Sequence, residues 1–123
     1  MNDHLASGDV EVQRSTIPAT DEGVDITVAK MMEMARGPYG ARSAKIRALA
    51  INIVNAAGVA DKNYYGMAEA IHNWVRDTIR YVKDPVGQET LSFPEELAFN
   101  TKAGDCDDKT ILEIALLGAL GIL

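Results

Sequence analysis

Cysteine occurs once in these 123 residues, as Cys106. A lone thiol excludes a disulfide framework and a multi-cysteine zinc site. Histidine occurs only as His4 and His72, which excludes most histidine-rich metal centres. The longest apolar run, residues 111–123, is 13 residues long and is interrupted by Glu113, whereas a bilayer span needs about 20. The opening Met-Asn-Asp-His-Leu has neither a basic region nor an apolar one, so no secretory signal is visible and the cytoplasm is the expected compartment. Positive charge is also scarce, and the formal net charge is −6. In the first 22 residues five acids stand against Arg14 alone, which leaves −4; the remaining 13 acids and 11 bases leave −2. No basic stripe exists to displace counterions from a phosphate backbone, so neither nucleic acid nor a membrane is an expected partner.

What is present is an ordinary globular composition, 47% apolar and 24% charged, of a length that fits one domain. Residues 1–22 lack a hydrophobic period and carry Ser, Gly, Pro and acids, and are expected to form a flexible acidic tail. Residues 23–123 are expected to form a helical body. Val28, Met31, Met32 and Ala35 follow an i, i+3, i+4, i+7 spacing, and Gly37-Pro38 stops that helix. The cluster of Met31, Met32 and Met34 is expected to pack in the core. Ser43 is a candidate N-cap for a second helix with the face Ile46, Leu49, Ala50, Ile53, Val54 and Ala57, closed by Gly58. A third helix is predicted through Met67, Ile71, Trp74, Val75, Thr78 and Val82, ending at Asp84-Pro85. Residues 85–91 read as irregular, and Ser92 as the cap of a short helix through Pro94, Glu95 and Phe99. The last helix should start at Asp105 or Cys106 and run to about Leu120. It is apolar nearly all round, the pattern of a helix buried on most sides. Its segment 111–123 is therefore the expected site of self-association or of a complementing C-terminal segment.

Ala103-Gly-Asp-Cys-Asp-Asp-Lys109 places the thiol at a loop-to-helix junction. Gly104 allows close backbone approach, and Asp105 is the candidate helix cap. A helix N-terminus favours a thiolate, and the Cys106 N–H there is oriented as an oxyanion donor would be. That is the layout of a cysteine nucleophile; the alternative is a structural cysteine beginning a core helix. Asn100, six residues upstream, is a candidate oxyanion donor, and otherwise a turn residue. His72 reads as a histidine at the border of an apolar face, and would be a base only if its ring reached the sulfur. Trp74 and Tyr81 are expected as core and half-buried anchors. Asp105, Asp107 and Asp108 complement the helix dipole, whereas a hard cation needs about six oxygens in a defined loop; no metal and no cofactor are expected.

The text around this site, Ala70-Ile-His-Asn-Trp-Val-Arg-Asp-Thr-Ile-Arg-Tyr-Val-Lys-Asp-Pro85, then Gly104-Asp-Cys-Asp-Asp-Lys, then Ala115-Leu-Leu-Gly-Ala-Leu-Gly121, resembles the transglutaminase-like superfamily of cysteine enzymes, and most closely its bacterial and phage-borne branch. The resemblance implies a papain-like α+β fold in which helices come first, the cysteine starts the central helix and an antiparallel sheet packs on it. It implies Cys106 as the nucleophile of acyl transfer, acting as a peptidase, amidase or transamidase on a peptide or protein substrate. The family's His and Asp follow the central helix, whereas His4 and His72 both precede Cys106. The chain is thus expected to be the mostly helical, nucleophile-bearing N-terminal part of such a domain, inactive alone and with its sheet portion missing. The alternative of a different class is a non-catalytic helical protein-interaction module.

Overall fold

A computed structural model describes residues 3–4, 11–15, 21–83 and 89–122. Five helices dominate: α1 (Asp21–Arg36), α2 (Ala44–Ala56), α3 (Tyr64–Thr78), α4 (Pro94–Glu96) and α5 (Cys106–Ala119). A π-helical turn, Leu97–Thr101, continues α4. The strands are short. β1 (Asp3–His4), β2 (Glu11–Ser15) and β4 (Glu89–Ser92) form an antiparallel sheet in the order β1-β2-β4. β3 (Arg80–Tyr81) and β5 (Ala103–Gly104) pair in parallel.

α5 is the axis of the fold. Its Ile111, Leu112, Ala115 and Leu116 are wholly buried, and α1, α2 and α3 all pack against it. The larger core cluster joins Ile46, Ala50, Ile53 and Val54 of α2, Ile71 and Val75 of α3 and Leu112, Ala115 and Leu116 of α5. A second cluster joins Met34 and Ala35 of α1, Leu91 of β4 and Ile111 of α5. An all-round apolar sequence is what a helix with neighbours on three sides requires. α1 and β4 together cover one side of α5, through Met34, Ala35 and Leu91 packed on Ile111. What stays half-exposed on α5 is a strip made of Ile114, Leu117, Gly118, Ala119 and, just past the helix, Leu120. Among the described residues no helix is long and apolar enough to cross a membrane.

α2 follows its sequence signals closely. The Ser43 hydroxyl accepts from the Ile46 N–H at 3.3 Å, and Ile46, Ala50, Ile53 and Val54 are the buried face. Gly58 takes φ +70°, the left-handed conformation that ends a helix cheaply only with glycine.

Elsewhere the structure departs from the expected elements. α3 stops at Thr78, not at Val82, because Arg80 N–H donates to the Lys102 carbonyl (2.9 Å) and Val82 N–H to that of Gly104 (2.8 Å). Beyond the helix Ile79 is buried in the core, whereas Tyr81 and Val82, at the strand pair, are exposed rather than packed. α1 begins at Asp21 and turns Met34 and Ala35 inward, with Met31 half-buried and Val28 and Met32 exposed. Ser92 is not a helix cap: Phe93 holds that position, Pro94 opens the helix, and the Ser92 N–H is committed to Asp108. Within the expected tail, residues 3–4 and 11–15 are strands, with Val12 opposite Ser92 in β4. Most of the stretch read as irregular, and the expected stop at Asp84-Pro85, lie outside the described residues.

The packing fixes a stability ranking along α2. Ile46→Ala should destabilise by about 2–5 kcal/mol through a core cavity, and Ser43→Ala by about 1 kcal/mol through the lost cap. Ile51→Ala, at an exposed position of the same helix, should stay within about 0.5 kcal/mol. Urea denaturation of the three variants checks the order.

Candidate active site at the start of α5

The site is built on the way α5 begins. The Asp105 carboxylate accepts from the Asp108 N–H at 3.1 Å, and the Asp108 carboxylate accepts in return from the Asp105 N–H at 3.2 Å. This reciprocal capping box satisfies two donors at the helix start. The other Asp108 oxygen accepts from the Ser92 N–H of β4 at 3.0 Å. Asp108 is only 3% exposed, so its carboxylate joins β4 to the helix start in the interior. Gly104 sits directly against it. A Cβ at position 104 would lie 2.7 Å from both the Cβ and the Oδ2 of Asp108, so this close approach demands glycine.

Cys106 is the first residue of α5 and is exposed. First-turn N–H groups have no acceptor within their own helix. Asp105 takes that of Asp108, and those of Cys106 and Asp107 stand at the open end. The Thr110 hydroxyl donates to the Cys106 carbonyl at 2.8 Å, one turn on. Cys106 lines a hollow of about 240 Å³ between α3 and α5, together with His72, Val75, Arg76, Lys109, Thr110 and Glu113. The two helices run antiparallel there, with His72 opposite Glu113.

The candidate partners of the sulfur are placed elsewhere. His72 shares the hollow, but its Nδ1 is bound to Glu113 Oε1 at 2.8 Å. Glu113 is seven residues along α5 from Cys106, about 10 Å at 1.5 Å per residue. The imidazole is thus engaged by Glu113 at the α5 position two turns beyond Cys106, with its side chain 63% exposed. Asn100 is exposed in the π-helical turn, and its amide donates to Glu96 Oε2 at 3.1 Å; it is not among the residues lining the hollow. Arg76, which does line it, forms a double hydrogen bond with the neighbouring Asp77. That guanidinium holds the Asp77 carboxyl below its usual range, mainly through the hydrogen bond. The three acids beside the thiol are not grouped as a cation cage. Two of their carboxylates are spent on backbone N–H groups, and no cluster of three or more potential ligands occurs among the described residues.

Asp108 is the side chain of the site that sequence reasoning undervalued, as one more acid for the helix dipole. The signal was there: Asp-x-x-Asp before an apolar run is the spacing of a capping box. The reach to Ser92, 16 residues earlier, has no sequence signature.

Two substitutions test this anchoring. Asp108→Ala strands the Ser92 and Asp105 N–H groups and should destabilise by roughly 2–5 kcal/mol. Gly104→Ala forces a methyl group onto Asp108 and should lose about 1–3 kcal/mol. Chemical denaturation reads both, and a near-neutral Gly104→Ala would contradict the close approach.

Comparison with known proteins agrees with this geometry at the level of the family. No curated protein and no solved structure matches the chain. A family model described as the transglutaminase-like superfamily matches residues 47–123, a span that runs from α2 to the end of α5 and includes the whole Cys106 site. The chain belongs to the transglutaminase-like superfamily.

Proposed function

We propose that Cys106 is the nucleophile of an acyl-transfer site. The observation that carries this reading is an exposed thiol on the first turn of a buried, doubly capped helix, opening onto a hollow. In the proposed reaction the thiolate attacks an amide carbonyl carbon. The C–N bond breaks, and the amine leaves with a proton from the general acid. Water or a second amine then resolves the thioester. The substrate would be a peptide or isopeptide bond or a glutamine side chain, and the enzyme a peptidase, amidase or transamidase of the bacterial and phage-borne kind. A papain-like arrangement would place the general base on a strand after α5.

The engagement of His72 by Glu113 supports a second element of the reading: this chain by itself does not turn over. It also favours the alternative of a non-catalytic helical module. Its docking face would be the half-exposed strip of α5 around Ile114, Leu117 and Leu120, taken by a second copy or by a complementing C-terminal segment.

The two readings separate in one experiment. The chain is incubated with an activated ester such as a p-nitrophenyl ester, and its mass is followed. A nucleophile in this position should take up one acyl group at Cys106, without turnover, and Cys106→Ala should take up none. Absence of an adduct at Cys106 favours the module. Turnover that vanishes in both Cys106→Ala and His72→Ala would identify His72 as the base and overturn the claim of inactivity.

A further inference from the structure

We infer that the N-terminal strand β2 positions Cys106, acting through β4 and the buried carboxylate of Asp108. The inference rests on Cys106 being the reactive group, and its test reads the thiol rather than turnover.

The connection is continuous and made of backbone groups. β2 lies between β1 and β4, and Val12 stands opposite Ser92 in the ladder. The Ser92 N–H donates to one oxygen of Asp108, and the other oxygen accepts from Asp105, the residue before Cys106. Among the described residues β2 is the only strand that pairs with β4, and a four-residue strand without a partner does not hold its register. Gly104 stands directly against Asp108, which confines its carboxylate on one side. Displacing β4 therefore pulls on the bond that closes the capping box, and the helix start carrying the sulfur loses its fixed geometry. The N-terminal segment thus becomes a device through which an event remote in sequence reaches the thiol: proteolysis ahead of α1, or capture of the strand by a partner.

The test is the pH profile of iodoacetamide labelling at Cys106 in the full chain. The titratable groups around the sulfur are Asp105, Asp107, Asp108 and Lys109 of its own helix start, Arg76 of α3 with its partner Asp77, and the His72–Glu113 pair. The double variant Val12→Pro, Gln13→Pro alters none of them. Successive strand N–H groups point to opposite sides, so one of the two lost donors faces β4. The profile should move to higher pH by up to about 0.7 unit, the size of a helix-terminus contribution. In an Asp108→Asn background, where the link is already weakened, the same prolines should move it much less. A profile superimposable on that of the unaltered chain overturns the inference. So does an equal shift in both backgrounds, which would mean that the strand acts by another route. If the prolines unfold the chain, glycines at the same two positions weaken the strand while keeping the donors. They should give a smaller shift of the same sign, and no shift overturns the inference.

Discussion

The exchange of hydrogen bonds between Asp105 and Asp108 is the constraint on which the rest of the site depends. A helix as apolar as α5 can be buried only if the polar groups at its ends are satisfied inside the protein. At its N-terminus two carboxylates meet that need, each accepting from the other's backbone N–H. Because Asp108 has a second oxygen to offer, the same group also fixes β4 through Ser92. The consequence reaches Gly104, which must lack a side chain, and Cys106, which is left on the outside of the first turn. Burial of the helix body and exposure of the thiol are two results of one capping arrangement.

That arrangement also sets which charges and dipoles lie around the sulfur. The negative charges of Asp105 and Asp108 are drawn inward to backbone donors. The N–H groups of Cys106 and Asp107 remain at the open end, where the partial positive charge of the helix is strongest. The hollow beside them carries His72, Arg76 and Lys109 against Glu113. His72 and Arg76 are tied to acids of their own, whereas an activated pair has its imidazolium or guanidinium bonded to the sulfur.

Much of this was legible from residues alone where the signals were local. Ser43 and Gly58 bracket α2, and the i, i+4, i+7, i+8 set of Ile46, Ala50, Ile53 and Val54 is its buried face. The helix start at Cys106 and the tight approach at Gly104 followed from the Gly-Asp-Cys-Asp text, and so did the family. What escaped was set by distant partners. α3 looks longer than it is, because Val82 continues the helical spacing of Val75 and Thr78, yet the Lys102 and Gly104 carbonyls draw the Arg80 and Val82 N–H groups into a strand pair. Ser92 and Pro94 resemble a cap and first turn, yet Asp108 claims the Ser92 N–H. His72 shows no sign in sequence of its partner 41 residues away. α1 has apolar residues on more than one face, so the choice of Met34 and Ala35 over Val28 and Met32 falls to α5 and β4 rather than to periodicity.

Amide hydrogen exchange, followed residue by residue, tests the capping account most directly. The N–H groups of Ser92, Asp105 and Asp108 should exchange as slowly as those of Leu112 and Leu116 in the middle of α5, because opening any of them breaks into the same reciprocal pair of buried carboxylates. The N–H groups of Cys106 and Asp107, which lie between Asp105 and Asp108 in the chain, should exchange rapidly. Fast exchange at Ser92 and Asp108 beside a protected α5 interior would contradict the account, since the helix would then be buried without the anchor that presents Cys106.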